Sequence, residues 1–343
     1  MSEHIHDIAR AMVVDGQGIL AADESSGTIK KRFDQIDTES TETNRRDYRE
    51  MLFSATQAMT DYVSGVILFD ETIRQNAKDG RPLVELIRAA GAIPGIKVDA
   101  GAKPLAGFPG EKVTEGLDGL RERLAEYYDL GARFAKWRAV IDIADGLPTW
   151  NAVKANAHGL ARYAALCQEA KIVPIVEPEV LMDGPNSNHD IGRCHEVTEK
   201  VLNTVFAELY DAGIDLEGMV LKPNMVIAGK NSPVQASPEE VAERTVKCLK
   251  ATVPAAVPGI AFLSGGQSDV QATHNLSLMN AGADLPWKLT FSYGRALQQA
   301  ALKAWSGKPD NVAAGQAAFA HRARMNGLAA LGRWSEAEES KAA

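Results

Sequence analysis

The chain is short of cysteine, of aromatic residues, of basic charge and of long apolar runs, and most of these shortages remove a class of protein. Its 343 residues hold three cysteines, Cys167, Cys194 and Cys248. They are widely spaced, odd in number and form no CxxC pair. Neither a disulfide framework nor a zinc pattern is present, and a reducing cytoplasm is the expected location. Lys and Arg number 37 against 45 Asp and Glu, for a net charge of −8. That balance lends no general support to nucleic-acid binding, so an anionic ligand has to be held by local cations against the overall field. No apolar run approaches membrane-spanning length, and residues 1–10 lack the apolar core of a signal peptide. Of the histidines only His4 and His6 are close in sequence, and they precede the first predicted strand. The others (His158, His189, His195, His274, His321) are scattered. No metal site and no cofactor are expected.

What is present is ordinary globular composition, 45% hydrophobic and 24% charged, arranged in a repeating order. Short apolar runs at 18–22, 63–69, 93–98, 134–140, 172–176, 218–221, 259–263 and 289–292 read as strands. Longer amphipathic stretches lie between them, at 115–128, 152–170, 194–212, 239–252, 269–281 and 295–305. Ser237-Pro238-Glu239-Glu240 is a helix start, with a serine cap, proline at the first helical position and a glutamate closing a capping box. Strands alternating with helices predict parallel βαβ units, and eight of them without a linker predict one (β/α)8 barrel spanning 1–343. An open doubly wound sheet is the alternative. Residues 1–16 and those after about 308 are expected to pack outside the barrel, with 335–343 a flexible tail.

Barrel chemistry sits at the C-terminal ends of strands, so the polar residues there carry the functional reading. Lys222 is a lone lysine at the end of the run Gly218-Met219-Val220-Leu221. Burial and neighbouring cations turn such an amine into a nucleophile that forms a Schiff base with a ketone or aldehyde. A lysine snorkelling at a strand edge is the plainer reading of that segment alone. Lys136 and Arg138 are two apart, as are Glu177 and Glu179, so each pair points to one face of its strand. Such a face opens onto charge or water, or forms a buried ion-pair network. Asp23 and Glu24 end the first strand, and Lys97 and Asp99 the third. With seven of eight strand ends polar, a site is expected.

Two phosphate cradles can be drawn from these pieces. Ser264-Gly265-Gly266, beside Ser292, Gly294 and Arg295, offers backbone N–H groups and a bidentate cation. Ser25 and Thr28 with Lys97 and Arg138 form a second across the mouth, and Arg32 is within reach of either. Two anion sites flanking a nucleophilic lysine predict a ketose phosphorylated at both ends. Lys136 is the cation expected to act on Lys222 and on a substrate hydroxyl, Glu177 and Asp23 are candidate proton carriers, and Glu179 is expected to orient Lys136 or Lys222.

These motifs resemble one family. Ile19-Leu20-Ala21-Ala22-Asp23-Glu24-Ser25, Gly95-Ile96-Lys97-Val98-Asp99, Phe134-Ala135-Lys136-Trp137-Arg138, Val173 to Glu179, Leu221-Lys222-Pro223-Asn224-Met225, Phe262 to Ser268 and Phe291-Ser292-Tyr293-Gly294-Arg295 are similar, in order, to the class I fructose-1,6-bisphosphate aldolases. The resemblance runs from about residue 7 to about 330. It implies a metal-independent (β/α)8 barrel, usually a homotetramer, that cleaves fructose 1,6-bisphosphate reversibly in glycolysis and gluconeogenesis. It makes Lys222 the Schiff-base lysine and Glu177 the main acid–base residue, assisted by Asp23, Lys136 and Glu179. Ser264, Gly265, Ser292, Gly294 and Arg295 would take the C1 phosphate, and Ser25, Thr28, Lys97 and Arg138 the C6 end, with Arg32 near the phosphates.

Two departures accompany the resemblance. No tyrosine follows Tyr293, whereas animal-type members end in one. The stretch Asp183 to Asp190 is longer than expected, and reads as a surface insertion. Another Schiff-base sugar-phosphate aldolase or transaldolase would share the lysine without needing two phosphate cradles. A barrel kept only for binding would leave the catalytic groups without use.

Overall fold

The computed structural model describes residues 4–282 and 284–341. Eight parallel strands close into a barrel: β1 (Gly18–Ala22), β2 (Val63–Leu68), β3 (Ile93–Lys97), β4 (Phe134–Ile141), β5 (Val173–Val180), β6 (Val220–Leu221), β7 (Gly259–Phe262) and β8 (Lys288–Tyr293). Each pairs with its neighbours in chain order, and β8 closes on β1 through Ile19 opposite Ser292 and Leu20 opposite Tyr293. The predicted barrel is therefore the observed one, and the open sheet is not.

The barrel interior changes character along its axis. Its lower half is apolar: Ile19, Ile67, Ile93, Phe134, Ile175 and Val220 form one buried cluster. The helix Ile5–Ala11 plugs that end, because Ile8, Met12 and Val13 belong to the same cluster. The first described residues thus pack outside the barrel as expected, closing its base. Glycine makes room for the plug, since a Cβ on Gly259 would stand 2.7 Å from that of Val13. A second, larger cluster fills the layer between strands and outer helices. Fully burying one aliphatic or aromatic side chain contributes about 1.5–3 kcal/mol, so charged groups in the upper barrel are carried by this apolar base.

Several boundaries differ from the sequence expectation for local reasons. The helices Asp269–Ala281 and Arg295–Trp305 fall where the periodicity places them. Pro238–Thr252 begins as expected, with the Glu240 N–H donating to Ser237 Oγ at 3.3 Å. Strand β5 runs past the expected stop at 176, because Pro178 sits within a ladder whose other residues keep their pairing to β4. A hairpin, Ala102–Pro104 against Lys112–Thr114, occupies part of a stretch that reads as loop and helix, and the helix there begins at Leu120.

The C-terminal stretch is likewise tied down where a flexible tail was expected. Glu336–Glu339 is a helical turn, and Glu339 pairs with Arg322 and accepts from Trp334 Nε1 at 2.8 Å. Arg322 belongs to the long helix Val312–Ala330, against the outer layer. Ala342 and Ala343 lie outside the described residues.

The floor of the barrel gives a packing test. A Cβ on Gly95 would lie 2.2 Å from Cε2 of Phe134, a ring that is fully buried. Gly95→Ala is expected to destabilise the fold by about 1–3 kcal/mol through overpacking. Adding Phe134→Leu should recover part of the loss, measured as the shift in urea midpoint. Additive losses in the double variant would contradict this contact.

Candidate active site

The upper barrel collects charge because strand alternation sends every second side chain inward. On β4, Lys136 and Arg138 flank Trp137, which points the other way and stacks on Tyr163 at 5.5 Å. On β5, Glu177 and Glu179 likewise share a face on either side of Pro178. At the end of β1, Asp23 reaches Lys136 while its neighbour Glu24 turns to Arg32. Lys222 follows directly on β6.

Four predicted residues meet in one ionic cluster. Lys136 Nζ lies 2.7 Å from Asp23 Oδ2 and 3.5 Å from Glu177 Oε2. Glu177 Oε1 lies 3.2 Å from Lys222 Nζ. Lys136, Glu177 and Lys222 are each 3–4% exposed. Burial works against the Asp23 charge, but Lys136, Lys222 and Lys97 outweigh it and pull the carboxyl down to about 2. Burial also opposes the charge on Lys136, yet Asp23, Glu177 and Asp99 hold it above the usual lysine range. The centre is thus an ammonium fixed between carboxylates, with the Lys222 side chain on the same glutamate.

The other predicted residues surround this centre. Glu179 pairs with Arg138 and not with either lysine, which corrects its expected orienting role. That carboxylate raises the Arg138 guanidinium above its ordinary value. Lys97 Nζ is 2.9 Å from Asp99 Oδ1, and Asp99 is in turn hydrogen-bonded by the Arg138 N–H at 3.3 Å. Ser25 caps the helix Ser26–Phe33, and its hydroxyl lies 3.1 Å from that of Thr28.

On the opposite side Arg295 donates to the Gly265 carbonyl at 3.2 Å and to that of Gln267, joining the ends of β7 and β8. Gly265 has φ +53, and a Cβ there would meet Met182 at 2.6 Å, so the turn requires glycine. A Cβ on neighbouring Gly266 would meet Asp183 at 2.8 Å, and one on Gly294 would lie 3.6 Å from Arg32 Nη2. Ser264 is buried beside this turn, and the Ser292 hydroxyl is buried without a hydrogen-bond partner. Arg32 therefore belongs with the Gly294 side of the mouth.

Sequence reading left out of the site the carboxylates that partner its cations, Asp99 and Glu24. Their signal was available: each lies within eight residues of its cation. A concavity of about 710 Å³ at the opposite end of the barrel, lined by Arg10, Asp15, Trp287 and Lys288, holds no comparable group. Its Lys288 is paired to Asp15 at 2.7 Å.

The lowered Asp23 carboxyl has a consequence for acid stability. A group with a depressed folded value stabilises the fold above its unfolded value, near 3.8, and loses that contribution as pH falls toward 2. Asp23→Asn is expected to lower stability at neutral pH and to flatten the decline between about pH 4 and pH 2. Urea midpoints of both proteins at stepped pH measure this, and parallel acid limbs would contradict it.

The comparisons with known proteins agree with this geometry. The family described as fructose-bisphosphate aldolase class-I matches residues 4–343. The chain is 60% identical over 333 residues to the probable fructose-bisphosphate aldolase class 1 of Xanthomonas campestris pv. campestris, covering 97% of this chain and 98% of that one. It is 52% identical over 342 residues to fructose-bisphosphate aldolase C of Mus musculus, covering 99% and 93%. The solved structure of the Plasmodium falciparum aldolase, in complex with TRAP and a small molecule inhibitor, matches with a TM-score of 0.94 at 49% identity, covering 96% of this chain and 95% of that one. On this match over nearly its whole length, the chain belongs to the class I fructose-bisphosphate aldolase family.

Proposed function

We propose that the charged mouth of this barrel carries out the reversible cleavage of fructose 1,6-bisphosphate through a Schiff base on Lys222. The observation that carries the reading is the contact of Lys222 Nζ with Glu177 Oε1 at 3.2 Å, in a buried site where Glu177 also faces Lys136. The proton of the Lys222 ammonium passes to Glu177, and the neutral amine attacks the C2 ketone. The new C–N bond forms as the carbonyl electrons move to oxygen, and a proton passes from nitrogen to that oxygen. Glu177 then protonates the hydroxyl, which leaves as water, and an iminium remains.

The iminium draws the C3–C4 bonding electrons toward nitrogen once a carboxylate takes the C4 hydroxyl proton. Glyceraldehyde 3-phosphate departs and an enamine is left. Protonation at C3 and addition of water return Lys222 and release dihydroxyacetone phosphate. Asp23 keeps Lys136 charged, and that fixed cation faces the substrate oxygens. Each step reverses, so the same groups serve condensation.

Ser264, Gly265, Gly266, Ser292, Gly294, Arg295 and Arg32 take one phosphate in this reading, and Ser25, Thr28, Lys97 and Arg138 the other. The unpartnered Ser292 hydroxyl supports the first assignment. Glu179 acts by holding Arg138. The iminium is the electron sink, so the reaction needs no metal, and among the described residues no cluster of three or more His, Cys, Asp or Glu could hold one. Free buried cysteines favour a cytoplasmic location, and the family resemblance favours a homotetramer, which sedimentation would test.

Borohydride reduction in the presence of dihydroxyacetone phosphate should leave a stable adduct on Lys222, located by mass spectrometry. Cleavage should survive EDTA. An unmodified Lys222, or activity abolished by EDTA, would overturn the reading. Glu177→Gln should lower kcat by roughly 10²–10⁴-fold, measured in steady state.

A further inference from the structure

Strand β6, which delivers Lys222, is the shortest in the barrel. It pairs with β5 only through Val220 opposite Ile175 and Leu221 opposite Val176, and with β7 only through Leu221 opposite Ile260. Just beyond, Pro223 has no N–H, and Pro178 on the facing part of β5 has none either. The two strands lose ladder donors at the level where Glu177 and Lys222 face each other.

Three bonds continue the pairing past that point. The Lys222 N–H donates to the Val176 carbonyl at 2.8 Å, and the Leu263 N–H to the Pro223 carbonyl at 3.2 Å. The third is made by a side chain: the Val180 N–H donates to Asn224 Oδ1 at 2.9 Å. Asn224 is 2% exposed, and its Nδ2 donates to Thr198 Oγ1 at 3.1 Å and to the Met225 carbonyl at 3.0 Å. Thr198 lies on the helix Ile191–Asp211 that follows β5. A carboxamide here stands in for a peptide unit, and it ties the end of β5, the next helix and the lysine-bearing segment to one another.

We propose that Asn224 is a positioning residue for nucleophilic attack by Lys222. It fixes the segment Lys222–Asn224 against β5, so that Lys222 Nζ keeps its place beside Glu177. It touches no reacting atom and acts through the strand that carries the lysine. The inference rests on the reading of Lys222 as the Schiff-base residue.

The test compares the rate at which saturating dihydroxyacetone phosphate with borohydride labels Lys222, in the full-length protein, with the inhibition constant of inorganic phosphate. Wild-type labelling examines the underlying reading alone: no adduct on Lys222 would end both that reading and this inference. With the adduct present, Asn224→Ala is expected to slow labelling and lower kcat by roughly 10- to 100-fold, the cost of a small misplacement of reacting groups. Phosphate inhibition should stay at its wild-type value, because the cradle on β7 and β8 is untouched. If Asn224→Ala does not fold, Thr198→Val removes one partner of the carboxamide and is read in the same way, with Thr198→Ser expected to restore the rate. Labelling at the wild-type rate, or labelling and phosphate affinity falling together, would overturn the proposal.

Discussion

The structure depends on one shared carboxylate. Glu177 faces Nζ of both Lys136 and Lys222, and Lys136 in turn faces Asp23. These groups come from β1, β4, β5 and the end of β6, and only a closed barrel brings β1 across to β4. Removing one partner from such a buried set leaves an uncompensated charge, which costs about 3–5 kcal/mol. The set is therefore self-consistent only when complete. The apolar floor, plugged by Ile8, Met12 and Val13, supplies the stability against which these charges are buried.

The barrel and the centre of the site were legible in the sequence because both follow from local periodicity. Lys136 with Arg138, and Glu177 with Glu179, show the two-residue period of a strand face, and Lys222 closes an apolar run. Pairing across the barrel was not legible. Glu179 turns to Arg138 and not to a lysine, and that choice depends on strand register, which no local pattern encodes. The sequence places the end of β5 at 176, where the apolar run stops, whereas the ladder to β4 continues through Glu177, Pro178 and Glu179 to Val180. The hairpin Ala102–Pro104 with Lys112–Thr114 escaped notice because strands of three residues leave almost no period to read.

The least legible feature concerns the cations assigned to phosphate. Each has a carboxylate of its own: Lys97 with Asp99, Arg138 with Glu179, Arg32 with Glu24 and Arg295 with Asp269. Glu24 is also hydrogen-bonded by Gln298 at 3.0 Å, and its carbonyl accepts from Arg49 at 2.8 Å, so its arm of the mouth is firmly anchored. Burial pushes the Asp269 carboxyl up in spite of Arg295.

On the proposed assignment of these cations, this arrangement answers a problem that a bisphosphate site poses. Four bare cations around one mouth would repel each other and lose their orientation. Paired, they stay ordered and nearly neutral before substrate arrives. A phosphate group brings a charge of about −1.5 to −2 and three acceptor oxygens. It can add to a guanidinium without displacing the carboxylate, because Arg138 meets Glu179 through Nε and Arg32 meets Glu24 through one terminal nitrogen. Binding is then the addition of an anion to a cation that keeps its buried carboxylate, and not a capture by free charge. The carboxylate that stays beside each cation repels the incoming anion, which keeps the net affinity moderate, and an enzyme that must release two phosphorylated products gains from that moderation.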